Sequence, residues 1–86
     1  MAADHEKIAR AEEAARIYNS RMFSEAWDEL RETLKEKILS TGYDETDVRE
    51  LHYHRIKLLD ELKSALIKIM NEGSIEAKSL KLRRVR

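Results

Sequence analysis

The chain has 86 residues, 42% hydrophobic and 40% charged, with formally zero net charge. That length makes one domain at most, and the composition suits helices with an apolar stripe on a charged back. With no cysteine and no proline, disulfides and thiolate metal sites are excluded and helices meet few interruptions.

The first predicted helix runs from about residue 3 to 18. Ile8, Ala11, Ala15 and Tyr18 recur at steps of 3, 4 and 3, which is helical spacing. Glu6 with Arg10 and Glu12 with Arg16 form i,i+4 pairs in the favourable order. The stripe is narrow and alanine-rich, so this helix needs a partner surface. Asn19-Ser20 then interrupts the good helix formers, and either side chain can cap a new helix. The stripe stays in phase through Met22, so a continuous helix is the competing reading.

The second helix is predicted over about 21–40. Phe23, Trp27, Leu30, Leu34 and Ile38 form its stripe, widened by Met22, Ala26 and Leu39. Gly42 is the expected stop, in the left-handed conformation that ends many helices. Asp44 is the expected cap of the third helix, with Glu45 and Asp47 placing negative charge in its first turn. That helix is predicted over about 45–72. Val48, Leu51, Ile56, Leu59, Leu62, Leu66 and Ile69 supply its contacts, with Leu58, Ala65 and Met70 at the margin. Asn71-Glu72-Gly73 reads as its end, and Ser74 as the cap of a last short helix. A short corner between two long amphipathic helices implies an antiparallel helical hairpin. The third helix, about 39 Å long, outreaches the second, at about 30 Å. The first helix can cover the excess or dock on a neighbouring chain.

The constellations that carry chemistry are weak. His52 and His54 are two apart and diverge by roughly 200° on a helix, so they do not share a metal. His52 is expected near the buried seam and His54 near solvent. Glu25, Asp28, Glu29, Glu32 and Glu36 line one side of the second helix, among lysines and arginines, and read as a solvated face. Two separated glycines cannot build a phosphate loop or a nucleophile elbow. No catalytic residue, metal site or cofactor is expected, and the chain is read as a non-enzyme. Phe23, Trp27, Leu30, Leu34, Leu59, Leu62 and Leu66 are the expected core or self-association anchors. Trp27 is placed at the centre, its indole N–H turned to a carboxylate, carbonyl or water.

Charge is uneven along the chain. Residues 78–86 hold five bases, Lys78, Lys81, Arg83, Arg84 and Arg86, and no acid. Residues 1–77 therefore keep 12 of the 17 bases and all 17 acids, a balance of −5. The basic tail suits an acidic protein surface or, alternatively, nucleic acid. The charged start, Met1 to Lys7, lacks the apolar region of a signal peptide. No apolar run approaches the roughly 18 residues that span a bilayer. A cytoplasmic chain without membrane contact is the expectation.

Three segments together resemble a group of short, mostly uncharacterised helical proteins encoded near virion-assembly genes of tailed bacteriophages. They are Met22 to Leu30, Arg49 to His54 with Leu58 to Leu62, and Glu72 to Ala77. The likeness spans most of residues 10–77 as a pattern. Many members carry proline at the second helix start, where this chain has Ser20-Arg21-Met22. The resemblance implies a non-catalytic helical protein, in the host cytoplasm or the virion, that works by association. The basic tail then fits an acidic coat surface or packaged DNA.

The expectation is thus an all-α domain over 1–77, an antiparallel helical hairpin with an additional N-terminal helix, followed by a basic tail over 78–86. A small unstapled core and long apolar stripes point to a homo-oligomer that also binds a protein partner. The alternative is a small nucleic-acid-binding or DNA-packaging accessory that uses the tail.

Overall fold

The computed structural model describes the backbone of residues 2–84 and the side chains of residues 5–78. The chain is all-α: α1 spans Ala2–Tyr18, α2 Arg21–Leu39 and α3 Thr46–Arg84, with no strand among the described residues.

The break between α1 and α2 is real. Ser20 has an extended backbone, φ −65° and ψ 127°, and its hydroxyl accepts from the Phe23 amide at 3.3 Å. The last turn of α1 closes through the Asn19 amide donating to the Ala15 carbonyl at 2.9 Å. One serine therefore stops one helix and starts the next, as a short side-chain oxygen at an N-cap does.

The corner after α2 differs from expectation. No glycine among the described residues takes a positive φ, Gly42 included. Arg49 holds the corner instead. Its guanidinium donates to the Gly42 carbonyl at 2.7 Å and the Thr41 hydroxyl at 3.0 Å, and reaches Thr46 at 3.3 Å. Glu45, rather than Asp44, supplies the carboxylate of the turn, accepting from the Gly42 amide at 2.7 Å. The last carbonyls of α2, which a left-handed glycine would have served, are met by Ser40 and Thr41: their amides donate to Glu36 and Ile38 and their hydroxyls to Lys37 and Ile38.

The larger correction concerns Gly73. The expected end at residue 72 is absent: α3 runs on to Arg84 as one helix of 39 residues, about 58 Å at 1.5 Å per residue. A mid-helix glycine costs about 1 kcal/mol relative to alanine. Its reason is proximity. A Cβ added at Gly73 would overlap the Ala11 methyl and sit 2.9 Å from the Lys7 carbonyl oxygen. Glycine is there so that α1 can lie close.

Contacts along the molecule fix its topology. In α1, Lys7 meets Glu76 at 3.6 Å, Ala11 meets Gly73, and the Tyr18 ring lies 5.8 Å from the Lys63 ammonium. In α2, Trp27 meets Leu59, and Arg31 meets Asp60 at 3.3 Å. α1 runs antiparallel along the second half of α3, and α2 lies along its first half, so the two follow each other end to end. The first helix therefore covers the excess length of α3 rather than crossing α2. The result is a rod of 66 × 23 × 18 Å with a radius of gyration of 18.7 Å, where a compact chain of this length has about 12 Å.

The covered seam of α3 is His52, Ile56, Leu59, Lys63, Leu66, Met70 and Gly73, at alternating steps of 4 and 3. That 3.5-residue period lets two helices stay in register over a long seam. Ile56 and Leu34 are buried, and so is Ala14 on the α1 side, but among the described residues no side chain is wholly enclosed. His52 is buried and His54 exposed, the arrangement expected from their divergence on the helix.

Candidate interaction surface

A second stripe runs beside the first. Val48, Leu51, Arg55, Leu58, Leu62, Ala65 and Ile69 each fall one residue before a seam position or continue that 3,4 alternation. One residue is 100° of helix, so this stripe faces about 100° away from the seam that α1 and α2 cover. It is apolar except at Arg55, and largely bare. Leu58 is 63% exposed, and Leu51 and Leu62 are 49% each.

The neighbouring face of α2 extends it. Leu30 is 48% exposed, Ala26 is exposed and Phe23 half-buried. Between the helices lie two open grooves. One, of about 330 Å³, is lined by Leu30, Leu34, Lys37, Arg55, Leu58 and Leu59. The other, of about 210 Å³, is lined by Phe23, Ala26, Trp27, Leu30, Leu59 and Leu62. Together they make one greasy trough on one edge of the α2–α3 seam. The opposite edge is polar, with Arg31 bridged to Asp60.

Trp27 stands at the trough's floor. Its indole N–H donates to the Leu59 carbonyl at 3.1 Å, one of the partners expected for it. The Lys63 ammonium sits 3.7 Å from the Trp27 ring centroid and 5.8 Å from that of Tyr18, and the Arg31 guanidinium lies 5.6 Å from the Trp27 ring. Lys63 occupies a seam position opposite the Asn19-Ser20 break. An aromatic from α1 and one from α2 share a single α3 cation there, a contact worth about 0.5–2 kcal/mol.

The expected anchors divide in two. Leu34 is buried, while Phe23, Trp27, Leu59 and Leu66 are half-buried; these join the intramolecular seam. Leu30 and Leu62 are left in the open trough, so they are not core within one chain. Sequence reasoning missed Lys63, Arg49 and the prominence of Leu58. The signal lay in the strict 3,4 alternation, which carries the seam through His52 and Lys63 and so pushes Leu58 and Leu62 onto a separate stripe. Of the tail bases, Lys78 is exposed. The side chains of Lys81, Arg83 and Arg84, and all of Arg86, lie outside the described residues.

Glu25, Asp28, Glu29, Glu32 and Glu36 are all exposed, with Arg21 bridged to Glu25 and Lys35 to Glu32. Among the described residues no three histidine or acidic side chains gather where they would hold a metal ion. No described helix is long and apolar enough to cross a membrane. Compared with known protein families, characterised proteins and solved structures, the chain matches none.

Proposed function

We propose that this chain is a non-catalytic helical interaction protein that self-associates through the open trough of α2 and α3 and also binds a protein partner. Its architecture is an antiparallel helical hairpin: α3 is one arm, and α1 with α2 forms the other, broken at Ser20. The setting we propose, on the sequence resemblance, is virion assembly in a tailed bacteriophage.

The observation that carries self-association is a large total surface on which leucines are left bare. The chain exposes 6943 Å², whereas a compact monomer of 10.1 kDa exposes about 5,300 Å². The difference is about twice the 800 Å² or so that a standard interface removes from each partner. Exposed leucines in one contiguous trough are where that surface is best withdrawn from water. Light scattering of the full chain across micromolar concentrations tests it. A mass near twice 10.1 kDa or above is expected; a monomer throughout refutes it.

The second reading, nucleic-acid binding, rests on the five bases of residues 78–86. It requires salt-dependent binding to DNA or RNA that disappears when those residues are removed. Affinity unchanged by the truncation excludes the tail as the contact.

A further inference from the structure

We infer that the trough's occupant is a second copy of this chain, with α3 lying antiparallel against α3 of that copy about a two-fold axis near residue 59. The inference rests on the self-association proposed above and gives it a surface and a direction.

The stripe itself is symmetric. Its ends, Val48 and Ile69, lie eleven and ten residues from position 59, and the bare Leu58 and Leu62 flank the middle. A stripe about 100° from the seam is close to the right angle that separates the two neighbours of a helix in a four-helix bundle. Its 3,4 spacing is the one that interdigitates with another such helix.

The charges on its outer rim decide the direction. Beyond the stripe, on the side away from α2, stand Asp47, Glu50, His54, Lys57, Glu61, Ser64, Lys68 and Asn71 in turn. Reversed about residue 59, Glu50 falls opposite Lys68 and Lys57 opposite Glu61. His54 falls opposite Ser64, and Asp47 opposite Asn71. Every acid meets a base or a neutral group, and each pairing occurs twice by symmetry. All of the charged rim residues are exposed, so each is available. Parallel pairing sets Asp47 and Glu50 beside their own copies and aligns two helix dipoles in the same sense, both unfavourable.

The rim of α2 explains why the contact centres on α3. Glu25, Glu29, Glu32 and Glu36 form that rim with no base at the same helical positions. Reversal of α2 upon itself opposes glutamate to glutamate. Leu30, level with Leu58 across the groove, then borders the contact instead of forming its centre.

Cysteine cross-linking tests the geometry, because the natural chain has no cysteine. Leu58→Cys places two thiols beside the axis, and mild oxidation is expected to give a covalent dimer. Val48→Cys places them roughly 30 Å apart along the helices, and no dimer is expected. Val48→Cys mixed with Ile69→Cys is expected to give the heterodimer. A charge exchange checks the rim: Glu50→Lys is expected to weaken the dimer roughly tenfold at low salt, and adding Lys68→Glu to restore it. Leu62→Glu is expected to leave a monomer with unchanged helical circular dichroism.

The failures separate. A natural chain that is monomeric by light scattering overturns both the function proposed above and this inference. A dimer in which Val48→Cys cross-links to itself while Leu58→Cys does not overturns the antiparallel α3 pairing and leaves self-association standing. So does a dimer that the charge exchange leaves unmoved.

Discussion

The two halves of α3 are covered in opposite ways. Along its second half, α1 offers small side chains, Ala11, Ala14 and Ala15, and meets Gly73 nearly backbone to backbone. Along its first half, α2 offers Phe23, Trp27 and Leu34, which hold the helices apart and leave grooves beside them. Small residues bring the two backbones close, beside an open groove of about 290 Å³ lined by Ile8, Ala11, Ala15, Met70, Gly73 and Ala77. Large ones give anchoring contacts but leave apolar surplus on their flanks, and that surplus is the open trough.

The sharpest way to break this contrast is to enlarge the close-fitting half. Gly73→Leu forces a side chain into Ala11 and the Lys7 carbonyl, and α1 is expected to lift from α3. A loss of about 3 kcal/mol is expected in urea unfolding, as for overpacking at its costly end. Faster amide exchange over residues 5–18 should accompany it. Gly73→Ala sets about 1 kcal/mol of helix propensity against the same overlap. The overlap is with a methyl and a backbone carbonyl, neither of which can swing aside, so a net loss is expected there too.

In the other half Trp27→Ala should cost about 2 kcal/mol, less than the 3–5 kcal/mol of a fully buried tryptophan because Trp27 is only half-buried. Trp27→Phe keeps most of the area and loses the bond to the Leu59 carbonyl, about 1 kcal/mol. The difference between the two variants in thermal unfolding separates packing from hydrogen bonding. Arg49→Ala, which unstaples the corner, is expected to lower stability by about 1 kcal/mol. That loss should be read equally by tryptophan fluorescence and by circular dichroism if the chain unfolds as a unit.

The smallest effect sharpens the join between the halves. Lys63→Met keeps the length of the side chain and removes its charge, costing about 0.5–1 kcal/mol of cation–aromatic attraction. Trp27 emission should shift, since the ammonium is 3.7 Å from its ring. An unchanged spectrum counts against the shared cation.

The three-helix content and the Ser20 break were legible because capping chemistry and helical spacing are local. Gly73 was misread for the same reason. As local punctuation a glycine followed by serine ends a helix, and only the approach of Ala11, 62 residues earlier, gives it a different use. The corner was misread likewise, because Arg49 reaches back across seven residues to Gly42. Within the site, every apolar member of the trough was visible as a helix-face residue. What the one-dimensional pattern blurred was the division into two stripes. Val48, Leu51, Leu59 and Leu66 look alike until the charged Lys63 is recognised as a seam position.

The rod shape has a hydrodynamic consequence. A compact chain of about 280 residues has the same radius of gyration as this one, whose value is 18.7 Å. A single copy therefore leaves a gel-filtration column well ahead of globular standards of its own mass. Side-by-side antiparallel pairing about residue 59 thickens the rod far more than it lengthens it, so mass doubles with a disproportionately small change in elution. A frictional ratio that falls on association is the signature of that shape; end-to-end joining raises it.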